Sequence, residues 1–199
     1  MAPPVVAIDE SAEIAPAPAR RRRALALLVA VWLGGACGTA VPGAPEEAPC
    51  DNFARVGPGL YRGAEPGEPC LRHLAGRGVR TVVNLRDEKD ASDREQAAVL
   101  ALGMRYVNVP MSGFASPSER DVHHVLALIR ASANEPVFVH CKHGRDRTGV
   151  VVAAYRVLDQ GWGAERALSE AKEFGMAWWQ FGMKGFIRNC CDLAEAVVK

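Results

Sequence analysis

Ten consecutive residues, His140-Cys141-Lys142-His143-Gly144-Arg145-Asp146-Arg147-Thr148-Gly149, hold the side chains of this chain best suited to chemistry. Cys141 is a latent thiolate nucleophile. Arg147 follows six positions later, with Thr148 and Gly149 directly behind it. Five intervening residues are enough to curl a half-circle of backbone N–H groups around one tetrahedral oxyanion, and Gly144 permits the positive φ or close approach that such a curl needs. N–H groups converging at the start of a helix bind anions before any side chain contributes. Arg147 adds a planar fork for two phosphate oxygens. The same field favours the thiolate at Cys141, and Thr148 can donate its hydroxyl to that sulfur when it leaves. The chemistry these residues fit is nucleophilic attack on phosphorus.

Such a loop needs a rigid strand before it and a helix after it. Val137-Phe138-Val139 reads as a buried strand, with Pro136–His140 feeding the loop, and Val150-Val151-Val152-Ala153-Ala154-Tyr155 as a helix start. Upstream, Arg55-Val56 and Leu60-Tyr61-Arg62 read as short strands about the turn Gly57-Pro58-Gly59. Helices are predicted at 68–77, 92–102, from about 116 to 132, 148–160, 163–173 and 184–198, and strands at 79–85 and 104–109. Gly103 is the C-cap of the second helix. Ser116-Pro117-Ser118-Glu119 reads as a capping box opening the third. Strands alternating with helices imply an α/β domain, a parallel-rich central sheet flanked by helices. In such sheets, sites lie at the carboxyl ends of strands, where Cys141 falls.

The segment 140–149 resembles the His-Cys-x5-Arg-Ser/Thr-Gly signature of the cysteine-dependent protein tyrosine and dual-specificity phosphatases. Gly59-Leu60-Tyr61-Arg62-Gly63-Ala64-Glu65-Pro66 and Thr81-Val82-Val83-Asn84-Leu85-Arg86 look like the bacterial and fungal/plant-type atypical members, so the resemblance covers roughly residues 53–195. It implies that Cys141 forms a phosphocysteine intermediate, that Arg147 binds phosphate, and that water completes hydrolysis with no metal and no cofactor. His140 is expected to support the loop backbone. A metal held by His140, Cys141 and His143 would occupy the nucleophile. Rhodanese-like sulfur transferases also hold a cysteine in an anion-binding loop but usually lack the full signature. From another class comes a phosphate-binding module that recognises without hydrolysing.

Hydrolysis of most phosphomonoesters needs an acid at the leaving oxygen. The resembled family usually supplies an aspartate about 30 residues before the cysteine. Here that region reads Val109-Pro110-Met111-Ser112-Gly113-Phe114-Ala115-Ser116, with no carboxylate. Glu119 and Asp121 are better explained by the helix they open. Asp146 is the candidate acid, because myotubularin-like phosphatases pair Asp with Arg at the same places; the alternative is that it only orients Arg147 or a backbone amide. Lys142 and Arg145 stand where phosphoinositide phosphatases of the Cys-Lys-x-Gly-Lys-x-Arg type carry lysines. With His143 they make a basic rim around Gly144, suited to a substrate with more than one phosphate. The substrate is therefore a phosphorylated protein or, as second reading, an inositol phosphate. Arg86 is expected at the mouth or on the surface, and His123-His124 on the solvent side of a helix. Ala177-Trp178-Trp179-Gln180-Phe181 is expected to be aromatic core under the last helix, with a membrane-facing or substrate-packing patch as the alternative.

The 199 residues are 49% apolar and 24% charged, enough for one domain with a real core. Residues 37–199 hold 20 basic and 20 acidic side chains, so net charge gives no argument for nucleic-acid binding. Arg20 to Arg23 precede an apolar run, and Ala24 to Ala36 is 13 residues, short of the ~20 needed to span a bilayer. Residues 1–37 are read as a targeting segment in which Cys37 resembles the lipid-bearing cysteine of a bacterial lipoprotein. Ordinary secretion and an uncleaved anchor are the other options. Residues 38–52, with Pro42, Pro45 and Pro49, are a tether, and 53–199 the phosphatase domain. An exported, membrane-tethered chain permits a Cys50–Cys70 disulfide, while Cys141 must stay reduced. Cys190 and Cys191 are adjacent on a predicted helix and poorly placed to bond to each other.

Overall fold

The computed structural model describes residues 48–87, 89–132 and 135–196. The targeting segment, Cys37 and most of the tether lie outside the described residues. Five strands form one sheet: β1 (Ala54–Gly57), β2 (Leu60–Gly63), β3 (Thr81–Asn84), β4 (Arg105–Asn108) and β5 (Val137–His140). Their spatial order is β1-β2-β5-β3-β4. The β1–β2 hairpin is antiparallel, turning at Gly59 with φ +71°. All other neighbours are parallel, as alternating strands and helices predict. β3 and β5 are buried at every position, as expected of central strands covered on both faces.

Alternation along those strands divides the core. Val83, Val137 and Val139 face a large apolar cluster with Val150, Val151 and Ala154. Val82 and Phe138 point the other way, toward Leu71, Leu74 and Val99. The second face is covered by α1 (Glu68–Gly76) and α2 (Lys89–Ala101). The first is covered by α3 (Glu119–Ala131), α4 (Asp146–Leu158), α5 (Ala164–Glu173) and α6 (Phe181–Ala196). α4 is buried over most of its surface, which explains its lack of a polar stripe. Arg156 ties it to its neighbours, donating to both oxygens of Glu170 (2.9 and 2.6 Å) and to the Val56 carbonyl (2.7 Å).

Three expectations need correction. The cap of α3 is Ser118, not Ser116: the Ser118 hydroxyl accepts from the Asp121 N–H at 3.1 Å, so Asp121 takes the third helical position. Pro117 keeps Ser116 extended, and Ser116 packs against Gly182, where an added Cβ would lie 3.2 Å from its nitrogen. Arg86 is not on the surface; its side chain is buried and paired with Glu65. The aromatic run at 178–181 is not core: Trp178 and Phe181 are 77% and 71% exposed. The disulfide Cys50–Cys70 is present, with the two Cα atoms 5.0 Å apart.

Candidate active site

β5 ends at His140 and α4 begins at Asp146, so Cys141 to Arg145 form the loop at the carboxyl end of a central strand. Gly144 has φ +66°, and a Cβ there would sit 2.5 Å from the Gly63 carbonyl carbon, so both space and conformation require glycine. The rear of the loop is clamped. Arg62, 1% exposed, donates from Nη2 to the Gly144 carbonyl at 2.6 Å. Asn52 donates to the carbonyls of Gly144, His143 and Phe174 at 2.9, 3.2 and 3.1 Å. In a planar trans peptide the N–H points opposite to the C=O, so these bonds turn the amides of Gly144 and Arg145 away from the clamp.

Arg62 also stacks on Phe174, its guanidinium carbon 3.8 Å from the ring centre. Burial pushes this guanidinium down to about 10, against the pull of Glu170 and Cys141. It therefore stays charged at neutral pH, a fixed cation behind the nucleophile. His140 is fully buried, with Glu95 Oε1 2.6 Å from Nε2, and Glu95 in turn accepts from Asn84 at 2.9 Å. This polar network joins the ends of β5 and β3 beneath the loop. His140 Nδ1 lies 3.4 Å from the Cys141 carbonyl.

Cys141 opens on a cavity of about 320 Å3 shared with Arg147, Lys142, His143 and Asp146. Arg147 is buried, and its Nη1 donates to the Met111 carbonyl (3.2 Å) and to Asp87 Oδ1 (3.1 Å). Thr148 Oγ1 is buried with no hydrogen-bond partner among the described residues. Lys142 and His143 also line a neighbouring cavity of about 490 Å3. Arg145 lines that second cavity only, beside Asp51 and Glu173, so the basic rim is split between two hollows. Asp146 Oδ1 accepts the Ala177 N–H at 2.8 Å, tying the start of α4 to the α5–α6 connection. That contact belongs to the orienting alternative for Asp146.

Sequence reasoning missed Asp87, the second carboxylate of the cavity, because it was sought only before α3. Its place just past the end of β3, at the same sheet edge as Cys141, was the signal available. Arg62 stood in a quoted motif, but nothing local shows that β2 runs beside β5. Asn52 lay in a presumed tether. Gln180 and the ring pair Phe114–Trp179 were assigned to core or passed over.

A strand-ending cysteine, a clamped ring of amides and an arginine six residues on define a cysteine-dependent phosphatase of dual-specificity type. The family model described as DSP-PTPase phosphatase fused to NAD+ kinase matches residues 52–187, and the chain belongs to this DSP-PTPase family. It is 37% identical over 158 residues to the dual specificity protein phosphatase TpbA of Pseudomonas aeruginosa strain UCBPP-PA14, covering 75% of this chain and 70% of that one. An inositol diphosphatase of Oryza sativa subsp. japonica is 32% identical over 130 residues, 63% of this chain and 58% of that protein. Among solved structures, a cysteine-to-serine variant of P. aeruginosa TpbA in complex with phosphotyrosine superposes with TM-score 0.68 at 28% identity, covering 81% of this chain and 99% of the other.

Proposed function

We propose that the chain removes phosphate from phosphorylated protein. The observation that carries this is Cys141 and Arg147 sharing one cavity above a loop whose carbonyls are held back by Arg62 and Asn52. The Cys141 thiolate attacks phosphorus, the bond to the ester oxygen breaks, and that oxygen leaves with a proton. Water then attacks the phosphocysteine, the S–P bond breaks, Thr148 donates to the departing sulfur, and inorganic phosphate is released. Arg147 and the loop amides hold the equatorial oxygens as charge spreads over them. Asp87 lines the same cavity as Cys141 and serves as the proton donor, while Asp146, bonded to the Ala177 N–H, holds the start of α4.

Phosphate release from a phosphotyrosine peptide, a phosphoserine peptide and inositol hexakisphosphate tests the reading. Release from a phosphopeptide, abolished by Cys141→Ser, is expected; release unaffected by that change rejects the mechanism. Asp87→Asn should slow alkyl esters more than aryl esters with good leaving groups, and Asp146→Asn should slow both equally. A second reading, inositol phosphates as substrate, is favoured by Lys142 and His143 bordering two hollows, with Arg145 in the second.

The same proposal places the enzyme outside the cytoplasm, tethered through a lipid on Cys37. The arginine-led apolar run supports it, and so does a disulfide in the domain. Incorporation of a labelled fatty acid, lost in Cys37→Ser, is the expected result.

A further inference from the structure

Of the six large apolar side chains exposed among the described residues, four are aromatic and come from two joined segments: Phe114, Trp178, Trp179 and Phe181. Phe114 stacks on Trp179, with ring centres 5.9 Å apart. Trp178 and Phe181, the more exposed pair of the connection before α6, meet edge-on at 6.4 Å. Holding apolar rings in water is unfavourable, and a contiguous patch of them marks a contact surface. The patch cannot simply fold back on itself, because its backbone is tied down. Gln180 is buried and donates to the Gly113 carbonyl at 2.7 Å, and Asp146 accepts the Ala177 N–H at 2.8 Å. Residues 109–118 and 174–188, which carry the rings, contain no Asp or Glu. They do contain Lys184, whose ammonium donates to the Trp178 carbonyl at 2.7 Å, and Arg188, which is paired with Glu165. The carboxylates of this edge, Asp51, Asp87, Asp146 and Glu173, line the two hollows instead.

Exposed rings with a lysine at their foot and no carboxylate beside them suit the surface of an anionic bilayer. Aromatic rings, Trp above all, rest between headgroups and acyl chains, and lysine is drawn to lipid phosphate. A two-fold pairing of this face with a second copy would instead bring two basic, carboxylate-free edges together. The point where the chain enters the domain says which face a membrane would meet. The Asn52 amide donates to the Phe174 carbonyl at 3.1 Å, so the chain enters against the connection that carries Trp178, four residues further on. The Asp51 carbonyl accepts the Ala64 N–H at 2.8 Å at the same edge. From Cys37 to Ala48 the chain can span at most about 40 Å, roughly the width of a domain of this size. A leash that short turns the edge it leaves from toward the surface that holds it. We propose that Trp178 and Phe181, with Lys184 beneath them, are a docking surface for a lipid bilayer with anionic headgroups. This rests on the membrane tether proposed above and adds which face of the domain meets the membrane.

The test measures amide hydrogen exchange of the full chain, free and on vesicles of phosphatidylcholine with phosphatidylglycerol. Burying one such ring shifts a population about tenfold, so exchange over residues 177–182 should slow by about that factor or more on the vesicles. In the double variant Trp178→Ala, Phe181→Ala the ratio of the free and vesicle-bound rates should return to one, while the protein stays on the vesicles through its N-terminal segment. Both side chains are exposed, so the Tm of the variant should be unchanged, which a thermal melt checks. Lys184→Gln should lower the protection on these vesicles and leave it unaltered on phosphatidylcholine alone. An unchanged ratio in wild type bound to vesicles would overturn the docking, and so would equal protection in the double variant. Protection that appears without vesicles and rises with protein concentration would also overturn it, since that is the mark of a second copy on this face. The fatty-acid label on Cys37 judges the tether separately. A chain without lipid that is still protected on added vesicles keeps the docking and rejects the tether, and a wild type that binds no vesicles rejects both.

Discussion

The loop of residues 141–145 and the segment between β4 and α3 line the same cavity, but they are held in different ways. The first is gripped from behind by charged and polar side chains, with Gly144 pressed against Gly63 and Arg62 bonded to its carbonyl. The second lacks the carboxylate expected there. It presents Phe114 instead, 84% exposed, and its backbone carbonyls accept from Arg147 at Met111 and from Gln180 at Gly113. Rigid backing suits a task that never varies, surrounding one tetrahedral anion with amides. An exposed apolar face takes no part in holding that anion, which needs donors and cations. The groups suited to phosphate chemistry are concentrated in the first segment, and the second adds apolar surface to the same cavity.

The sharpest way to break this contrast is Gly144→Ala. A Cβ at that position meets Gly63 backbone atoms at 2.5 and 2.6 Å, so the loop must move, and no flexible side chain is there to give way. A displacement near 1 Å is worth on the order of 100-fold in kcat/KM, and steady-state kinetics on an aryl phosphate should show at least that. Near wild-type kinetics would mean that the rear contact does not fix the amides.

Reduction of Cys50–Cys70 comes next. The bridge closes a separation of 20 residues and lies two positions from Asn52, whose amide clamps the loop. Opening it should cost about 3 kcal/mol by the loop-closure relation, read as a fall in Tm of about 6–12 °C. Thermal melts with and without reductant check this. Because Arg62 still holds Gly144, activity below the transition should weaken rather than vanish, and complete loss would place Asn52 above Arg62 in the clamp.

Ser118→Ala is the gentlest probe, acting where the second segment ends. Losing the cap should cost about 1 kcal/mol, seen as a lower Tm with kcat little changed. The Ser118 hydroxyl also holds the Asp121 carboxyl below its usual value. That part of the stability is present above the ordinary carboxylate range and is lost as pH falls through the lowered value. The Tm difference between wild type and variant should therefore narrow in acid.

Much of the fold was legible because its signals are local. Apolar runs at 79–85 and 137–139, with Gly103 closing one helix, place strands and helices within a few residues of where they lie. α4 starts two residues earlier than the predicted 148, because the anion loop passes straight into its first turn. The cap of α3 was misplaced because two serines flank Pro117, and packing against Gly182 decided between them. The aromatic run was misplaced for a related reason. Composition alone favours burying Trp and Phe, and nothing in residues 177–181 shows that they flank a cavity made by segments 30 and more positions away.

The sequence by itself determined the nucleophile, the phosphate-binding arginine, the glycine between them and the strand-loop-helix that carries them. All of these lie within ten residues, where spacing alone fixes geometry. Only the tertiary structure decided what stands around them. Parallel pairing of β2 with β5 carries Arg62 beneath the loop, pairing of β3 with β5 brings Asp87 to Arg147, and Gln180 joins Phe114's segment to Trp179's. Each of these contacts spans dozens of residues along the chain. Such contacts are set by strand order and core packing, which no local pattern records.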